Sequence, residues 1–279
     1  MAERSSGDVR VRVRDGLTLR VHERGAGPPV LLLHGFTGSV EAWGKRVLDG
    51  LAGTWRVLAV DLPGHGLSDA PRTPERCRLE EVVEDLCHVL GELGAPRARW
   101  IGYSMGGRVA LGAAVLRPER VERLVLEGAS PGLADEAERR ERRGADEALA
   151  RRLESDGIGA FVDHWASLPL FATRSRLPPS VRAAERERRL LNRPEALAAC
   201  LRGLGTGVQP SLWERLPEVA APTLLLTGDD DDKFTRLAER MAAGLPEAVH
   251  VGVPGAGHTV HLEAPEAWLE AVTGFLGGA

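Results

Sequence analysis

The chain has 279 residues, enough for one large α/β domain with a full core, and a formal net charge of -4. So small a charge gives no reason to expect nucleic acid or an anionic membrane surface as partner, and no apolar run approaches the ~18 residues a membrane-spanning helix needs. Cys77, Cys87 and Cys200 are odd in number and lack C-x-x-C spacing, which predicts buried thiols and argues against a disulfide framework or a zinc site; with no apolar secretory stretch in Met1–Ser6, the chain reads as cytoplasmic.

At the N-terminus, Val9–Arg14 and Leu17–Val21 alternate with period two about Asp15-Gly16, a dipeptide suited to a tight turn. They predict an antiparallel hairpin at a sheet edge. After Gly25–Pro29, the run Val30–Leu33 is apolar throughout, as expected of a strand covered on both faces. Arg56–Val60, Arg99–Gly102, Val121–Glu127 and Thr223–Thr227 repeat that character, and His250–Val253 completes the strands. Helical stretches, among them Leu79–Leu93 and Arg108–Leu116, separate most of them. The expected fold is α/β, a mostly parallel central sheet with helices on both faces.

Between about Asp135 and Arg202 the pattern breaks. The sequence becomes charged and helical, as in Glu136–Arg143 and Glu185–Arg189, and holds no long buried strand. A helical insertion placed before the sheet resumes predicts a cap over the C-terminal ends of the strands, where such sheets bind ligands. The expected division is a core of 1–132 and 211–279 with a cap of 133–210.

Gly102-Tyr103-Ser104-Met105-Gly106 lies between a strand and a small-residue helix. A strand that turns into a helix within so few residues needs glycines around the turn and leaves the serine presented on a strained backbone. A presented serine becomes reactive only when an imidazole polarises it and an acid orients that imidazole. The order serine, acid, histidine predicts these at later strand ends. Gly228-Asp229-Asp230-Asp231-Asp232 supplies the acid, with Asp231 preferred and the run of four leaving its register open. Gly255-Ala256-Gly257-His258 supplies the imidazole, with His258 nearer the strand end than His261.

Such chemistry also needs two backbone N–H groups facing developing negative charge. Met105, at the start of its helix, and Phe36, in His34-Gly35-Phe36-Thr37-Gly38-Ser39, are the candidates. His34 and His65 read as structural imidazoles.

Together these motifs resemble the α/β-hydrolase superfamily over essentially the entire chain. Within it, the Ser104 string followed by Gly107-Arg108, Glu127–Leu133, Gln209-Pro210 and Asp232-Lys233-Phe234 resemble the menaquinone-pathway 2-succinyl-6-hydroxy-2,4-cyclohexadiene-1-carboxylate (SHCHC) synthase family. The resemblance implies a lyase that expels pyruvate from a small polycarboxylate, with no metal and no organic cofactor. Ser104, deprotonated through His258, would be the base and Asp231 would orient the imidazole. The resemblance also places substrate-binding groups at Tyr103, Arg108, Arg142, Trp165, Arg189 and Lys233; Arg143 competes with Arg142 through a one-residue shift. The rival readings are a serine esterase or carbon-carbon bond hydrolase working through an acyl-enzyme, and a non-catalytic receptor.

Overall fold

The computed structural model describes residues 6–278. The reading of the extreme N-terminus as lacking a secretory stretch rests mainly on Met1–Ser5, which lie outside the described residues. Eight strands form one sheet: β1 (Gly7–Arg12), β2 (Thr18–Arg24), β3 (Pro29–Leu33), β4 (Arg56–Val60), β5 (Ala98–Tyr103), β6 (Val121–Glu127), β7 (Thr223–Gly228) and β8 (Ala248–Val253). Their spatial order is β1-β2-β4-β3-β5-β6-β7-β8, parallel from β4 to β8 and antiparallel where β2 meets β1 and β4.

Successive side chains of a strand point to opposite faces, and the core divides accordingly. Leu31, Leu33, Leu58 and Val60 face the cluster that includes Val82, Val83 and Leu86 of α2 (Leu79–Glu92) and Val109 and Leu111 of α3 (Met105–Leu116). Val30, Leu32, Val57 and Ala59 join Val47 and Leu51 of a first helix, α1 (Gly44–Ala52), on the other face. Trp268 and Val272 of the C-terminal helix, residues Pro265–Gly277, pack there too. Burial on both faces is why these strands read as unbroken apolar runs.

The first hairpin departs from expectation. Strand β1 stops at Arg12 and β2 starts at Thr18, with Val13 N–H donating to Leu17 O at 2.7 Å around Arg14–Gly16. A longer turn frees Arg14 to pair with Asp85 at 3.3 Å and Glu81 at 3.0 Å, which a two-residue turn would have kept in the ladder. Helix α3 also starts three residues before the expected Arg108, because the chain turns helical directly at Met105.

Between β6 and β7 run α4 (Glu136–Ala166), a 3-10 stretch (Pro169–Arg176), α5 (Pro179–Leu190) and α6 (Pro194–Leu204). Helix α4 is interrupted at Gly157, whose φ of 77° departs from the helical region. Ala150, Leu153 and Phe161 of α4 pack on Leu197, Ala198 and Leu201 of α6 in a small core of their own. After β7 comes α7 (Asp232–Ala242), and α8 (Val260–Glu263) precedes the C-terminal helix, α9 (Pro265–Gly277). All three cysteines are buried, with the thiols of Cys77 and Cys200 facing each other at 3.4 Å. Among the described residues no helix is long and apolar enough to cross a membrane.

Candidate active site

The order β4-β3-β5 means that the chain builds outward from β3 in both directions, and the crevice at such a switch point is where open α/β sheets bind ligands. Leu33, the last residue of β3, pairs with Gly102 of β5. The loops that follow, one carrying Phe36 and the other Ser104, therefore leave the sheet side by side.

Ser104 sits at the N-cap of α3 with φ 50° and ψ -108°. An L-residue avoids this region, and surrounding structure must hold it there. Its own N–H donates to Glu127 O at 2.8 Å, and its carbonyl accepts from Arg108 N–H at 3.0 Å. Glycines make the turn possible by close approach: a Cβ on Gly106 would lie 2.1 Å from Leu33 O, and one on Gly102 would lie 2.3 Å from Gly106 O. No side chain larger than hydrogen fits at either position.

His258 Nε2 lies 3.2 Å from Ser104 Oγ, and His258 Nδ1 lies 2.7 Å from Asp231 Oδ2. The second oxygen of Asp231 accepts from Phe234 N–H at 3.2 Å, so the carboxylate both caps α7 and faces the imidazole. The register of the four aspartates is set by backbone bonds that strap Asp229 and Asp230 to the end of β8 and the loop after it, and that close a turn from Asp231 onto Gly228 of β7. Asp229 N–H donates to Val253 O at 3.0 Å, Asp230 N–H to Ala256 O at 2.9 Å and Asp231 N–H to Gly228 O at 2.9 Å. Asp230 instead pairs with Arg176, and Asp232 is exposed on the first turn of α7.

His261, the other candidate imidazole, is taken up elsewhere. Its Nδ1 lies 2.8 Å from Glu127 Oε1, while Trp268 Nε1 donates to Glu127 Oε2 at 2.8 Å. Glu127 thus supports the elbow with its carbonyl and anchors α8 and α9 with its carboxylate.

Met105 opens α3, so its N–H is among the first-turn donors that no helical carbonyl can satisfy. Gly35, next to Phe36, comes within reach of the serine: a Cβ there would be 3.5 Å from Ser104 Cβ and 2.7 Å from the Tyr103 ring. The Phe36 ring meets Phe161 and Trp165 of α4 edge-on, at 6.2 and 5.3 Å between centroids. His34 is buried and bonded on both nitrogens, Nδ1 to Gly35 O at 2.8 Å and Nε2 to Leu62 N–H at 3.0 Å. Burial lowers its pKa to about 4, and burial with the neighbouring His34 lowers that of His65 to about 3. Both are therefore neutral imidazoles at pH 7, bonded within the loops.

Ser104 opens into a cavity of about 1110 Å³ beneath α4, the 3-10 stretch and α5. Tyr103, Arg108, Arg142, Trp165, Arg189 and Lys233 all line it. Arg108 is buried, with Nη1 donating to Leu204 O at 2.7 Å and to Gln209 Oε1, which ties α3 to the end of α6. Burial, together with the nearby Arg142, lowers its pKa to about 10. Burial and Arg174 do the same for Arg189. Arg142 donates from Nε to Asp146 at 2.8 Å and keeps its face to the cavity, whereas Arg143 is spent on Gly207 O at 3.0 Å and Glu136 at 2.8 Å. Trp165 serves two ends, stacked on Phe161 at 5.7 Å and forming part of the cavity wall. Lys233 is exposed at the rim. Among the described residues no group of three or more His, Cys, Asp or Glu side chains is placed to hold a metal ion.

A family model described as the α/β hydrolase fold matches residues 28–265. A Bacillus subtilis protein provisionally named 2-succinyl-6-hydroxy-2,4-cyclohexadiene-1-carboxylate synthase is 42% identical, over 97% of this chain and 98% of its own length. The protein of that name from Serratia proteamaculans is 34% identical over 89% and 93%. Among solved structures, MenH from S. aureus superposes with a TM-score of 0.88 at 33% identity, covering 93% of this chain and 97% of its own.

The chain belongs to the α/β-hydrolase family, among the SHCHC synthases.

For an SHCHC synthase-family chain, sequence reasoning overlooked two cavity residues and one buried contact of a third. Arg174 lines the wall but lies in an arginine-rich segment with no motif to single it out. Thr259 lines it as well, and its place directly after His258 is the signal that points to it. Gln209 is buried against Arg108, a partnership its motif Gln209-Pro210 carried without revealing the contact.

Proposed function

We propose that this chain is a carbon-oxygen lyase of menaquinone biosynthesis, an SHCHC synthase eliminating pyruvate from 2-succinyl-5-enolpyruvyl-6-hydroxy-3-cyclohexene-1-carboxylate. The observation that carries this reading is the coincidence of a linked serine, histidine and aspartate with a cavity whose buried groups include Arg108 and Arg189. Burying a guanidinium is unfavourable unless an anion offsets it, and planar forked donors match carboxylates. A cavity built for neutral esters has no use for them.

The chemistry follows from the geometry. His258 Nε2 accepts the Ser104 proton while Asp231 fixes the opposite nitrogen as donor and stabilises the imidazolium. The serine oxygen then removes the ring proton that conjugation has made acidic. The C–H electron pair becomes a ring double bond, and negative charge accumulates on the conjugated oxygen facing the N–H groups of Phe36 and Met105. The ring C–O bond breaks next. The enolpyruvyl group leaves with the bonding pair, takes the proton held by His258 and tautomerises to pyruvate. All of these groups belong to the chain itself, and the reading calls for no metal or organic cofactor.

Residues 133–210 as a cap over a core of 1–132 and 211–279, and a cytoplasmic location, belong to the same reading. The cap is supported by α4 and α5 roofing the cavity. The deciding experiment supplies the purified protein with the pathway substrate and follows pyruvate release together with absorbance of the conjugated diene product. Both are expected with the wild-type chain, and Ser104→Ala is expected to lose several orders of magnitude in turnover. Turnover of simple esters without pyruvate release would move the chain to the acyl-enzyme hydrolases.

A further inference from the structure

One cation deep in the cavity has no task in the reaction as written. Arg174 belongs to the 3-10 stretch Pro169–Arg176, which is seated on the loop carrying His258. A Cβ on Gly257 would lie 2.1 Å from Thr173 Oγ1, and the Phe171 and His258 rings meet edge-on at 5.9 Å. The Arg174 guanidinium is clamped on several sides. Nε and Nη2 donate to Thr259 Oγ1 at 3.0 and 2.6 Å, Nη2 reaches the Tyr103 hydroxyl at 3.4 Å, and Cζ sits 4.1 Å from the Phe171 centroid. Thr259 follows His258 and Tyr103 precedes Ser104, so this charge is fixed to the immediate chain neighbours of both reacting side chains.

Nη1 is different. It is buried without a hydrogen-bond acceptor, on a side chain that is 9% exposed and lines the cavity. The nearby carboxylate oxygen is Glu185 Oε1 at 3.5 Å, and that same oxygen already accepts from Arg189 Nη2 at 3.1 Å. One carboxylate oxygen is thus shared between two guanidinium groups in a nearly dry place, leaving a surplus positive charge and two N–H donors unmatched.

We infer that Arg174 and Arg189 form a carboxylate clamp at the reacting end of the cavity. Glu185 serves as the resident anion against which an incoming substrate carboxylate competes for the Nη1 donors of Arg174. Arg174 and Glu185 are then specificity-determining residues. The inference rests on the polycarboxylate substrate of the proposed reaction and adds to it the group that seats one carboxylate beside Ser104.

Succinate, titrated calorimetrically, is the probe. The wild-type chain is expected to bind it, Arg174→Gln to bind it roughly 10- to 100-fold more weakly, and Glu185→Gln to bind it several-fold more tightly because a like charge is gone. In the pyruvate-release assay, Arg174→Gln is expected to raise KM by a similar factor with a smaller change in kcat. A merely structural role, acting through Thr259, would lower kcat and leave succinate affinity alone, and that pattern overturns the inference. So does a wild-type chain that fails to bind succinate. Should Arg174→Gln not fold, unchanged succinate affinity in Glu185→Gln is sufficient to reject the clamp. Loss of succinate binding in Arg174→Gln by a protein that releases no pyruvate would reject the reaction and keep the clamp; normal pyruvate release with KM and succinate affinity untouched would do the reverse.

Discussion

Asp231→Asn tests the proposed proton relay with almost no change in shape. The native carboxylate accepts on both oxygens, from Phe234 N–H at 3.2 Å and from the His258 Nδ1 side at 2.7 Å. An asparagine can accept on only one. If its oxygen stays with Phe234, the amide nitrogen faces His258 Nδ1, and the imidazole must present Nδ1 as acceptor, moving its proton to Nε2. In that tautomer Nε2 donates towards Ser104 and cannot take its proton. If the amide flips to rescue the tautomer, two donors meet at Phe234, at about 1–3 kcal/mol. That leaves the competent arrangement roughly 10- to 100-fold depleted. The neutral amide also gives up the charge that stabilises the imidazolium, so the combined loss in kcat is expected at about 10³–10⁴, near 4–5.5 kcal/mol of barrier. Because the favoured orientation keeps the α7 cap, thermal stability should hardly change. Pyruvate release at saturating substrate is the assay, with a melting curve beside it. A variant retaining a tenth or more of wild-type kcat would refute the assignment of Asp231 as the orienting acid.

Three further outcomes follow from the same geometry. Arg108→Met removes a forked donor from the cavity and is expected to raise KM for the polycarboxylate by roughly 10- to 100-fold and to lower kcat, read in steady-state pyruvate release; an unchanged KM would take Arg108 out of the binding set. Gly106→Ala places a Cβ 2.1 Å from Leu33 O and should cost about 3 kcal/mol or more and abolish turnover, whereas Gly144→Ala in α4, with nothing within 4 Å of the new Cβ, should be neutral or slightly stabilising. Denaturant midpoints for the two would reverse if the elbow were not tightly packed. Acid should weaken the fold through His34 and His65, whose folded pKa values of about 4 and 3 lie below the ordinary 6.5. Below pH 6.5 the unfolded chain takes up protons that the folded chain refuses, so stability is intact above pH 6.5 and falls towards pH 4 by about 3 kcal/mol for each imidazole. Denaturant midpoints that stay constant from pH 7 to about 4.5 would contradict this.

Much of the architecture could be read along the chain because its causes are local. Strands covered on both faces must be apolar at every position, so Val30–Leu33 and Thr223–Thr227 announced themselves. The elbow announced itself because only glycine fits where Gly106 meets Leu33 O. What failed was set by distant partners. Nothing in Asp15-Gly16 says that Arg14 will leave the ladder for Asp85, 71 residues on. Four consecutive aspartates are chemically alike, and only the bonds of Asp229 and Asp230 to Val253 and Ala256, with the turn that Asp231 closes on Gly228, aim Asp231 at His258. Arg142 and Arg143 differ by one helical step, and the carbonyl of Gly207, 64 residues away from Arg143, decides which of them remains facing the cavity.

By itself the sequence determined the sheet, the presented serine and the pool of acids, imidazoles and guanidinium groups, because backbone sterics and hydrophobic periodicity act within a few residues. Tertiary structure alone decided which members of that pool meet. The 3.2 and 2.7 Å contacts of His258, and the placing of Arg174 against Tyr103 and Thr259, join segments 71 to 154 residues apart, or 27 for the aspartate. Distances of that kind are fixed when separate surfaces pack and bury their charges together, a condition that no stretch of neighbouring residues can specify.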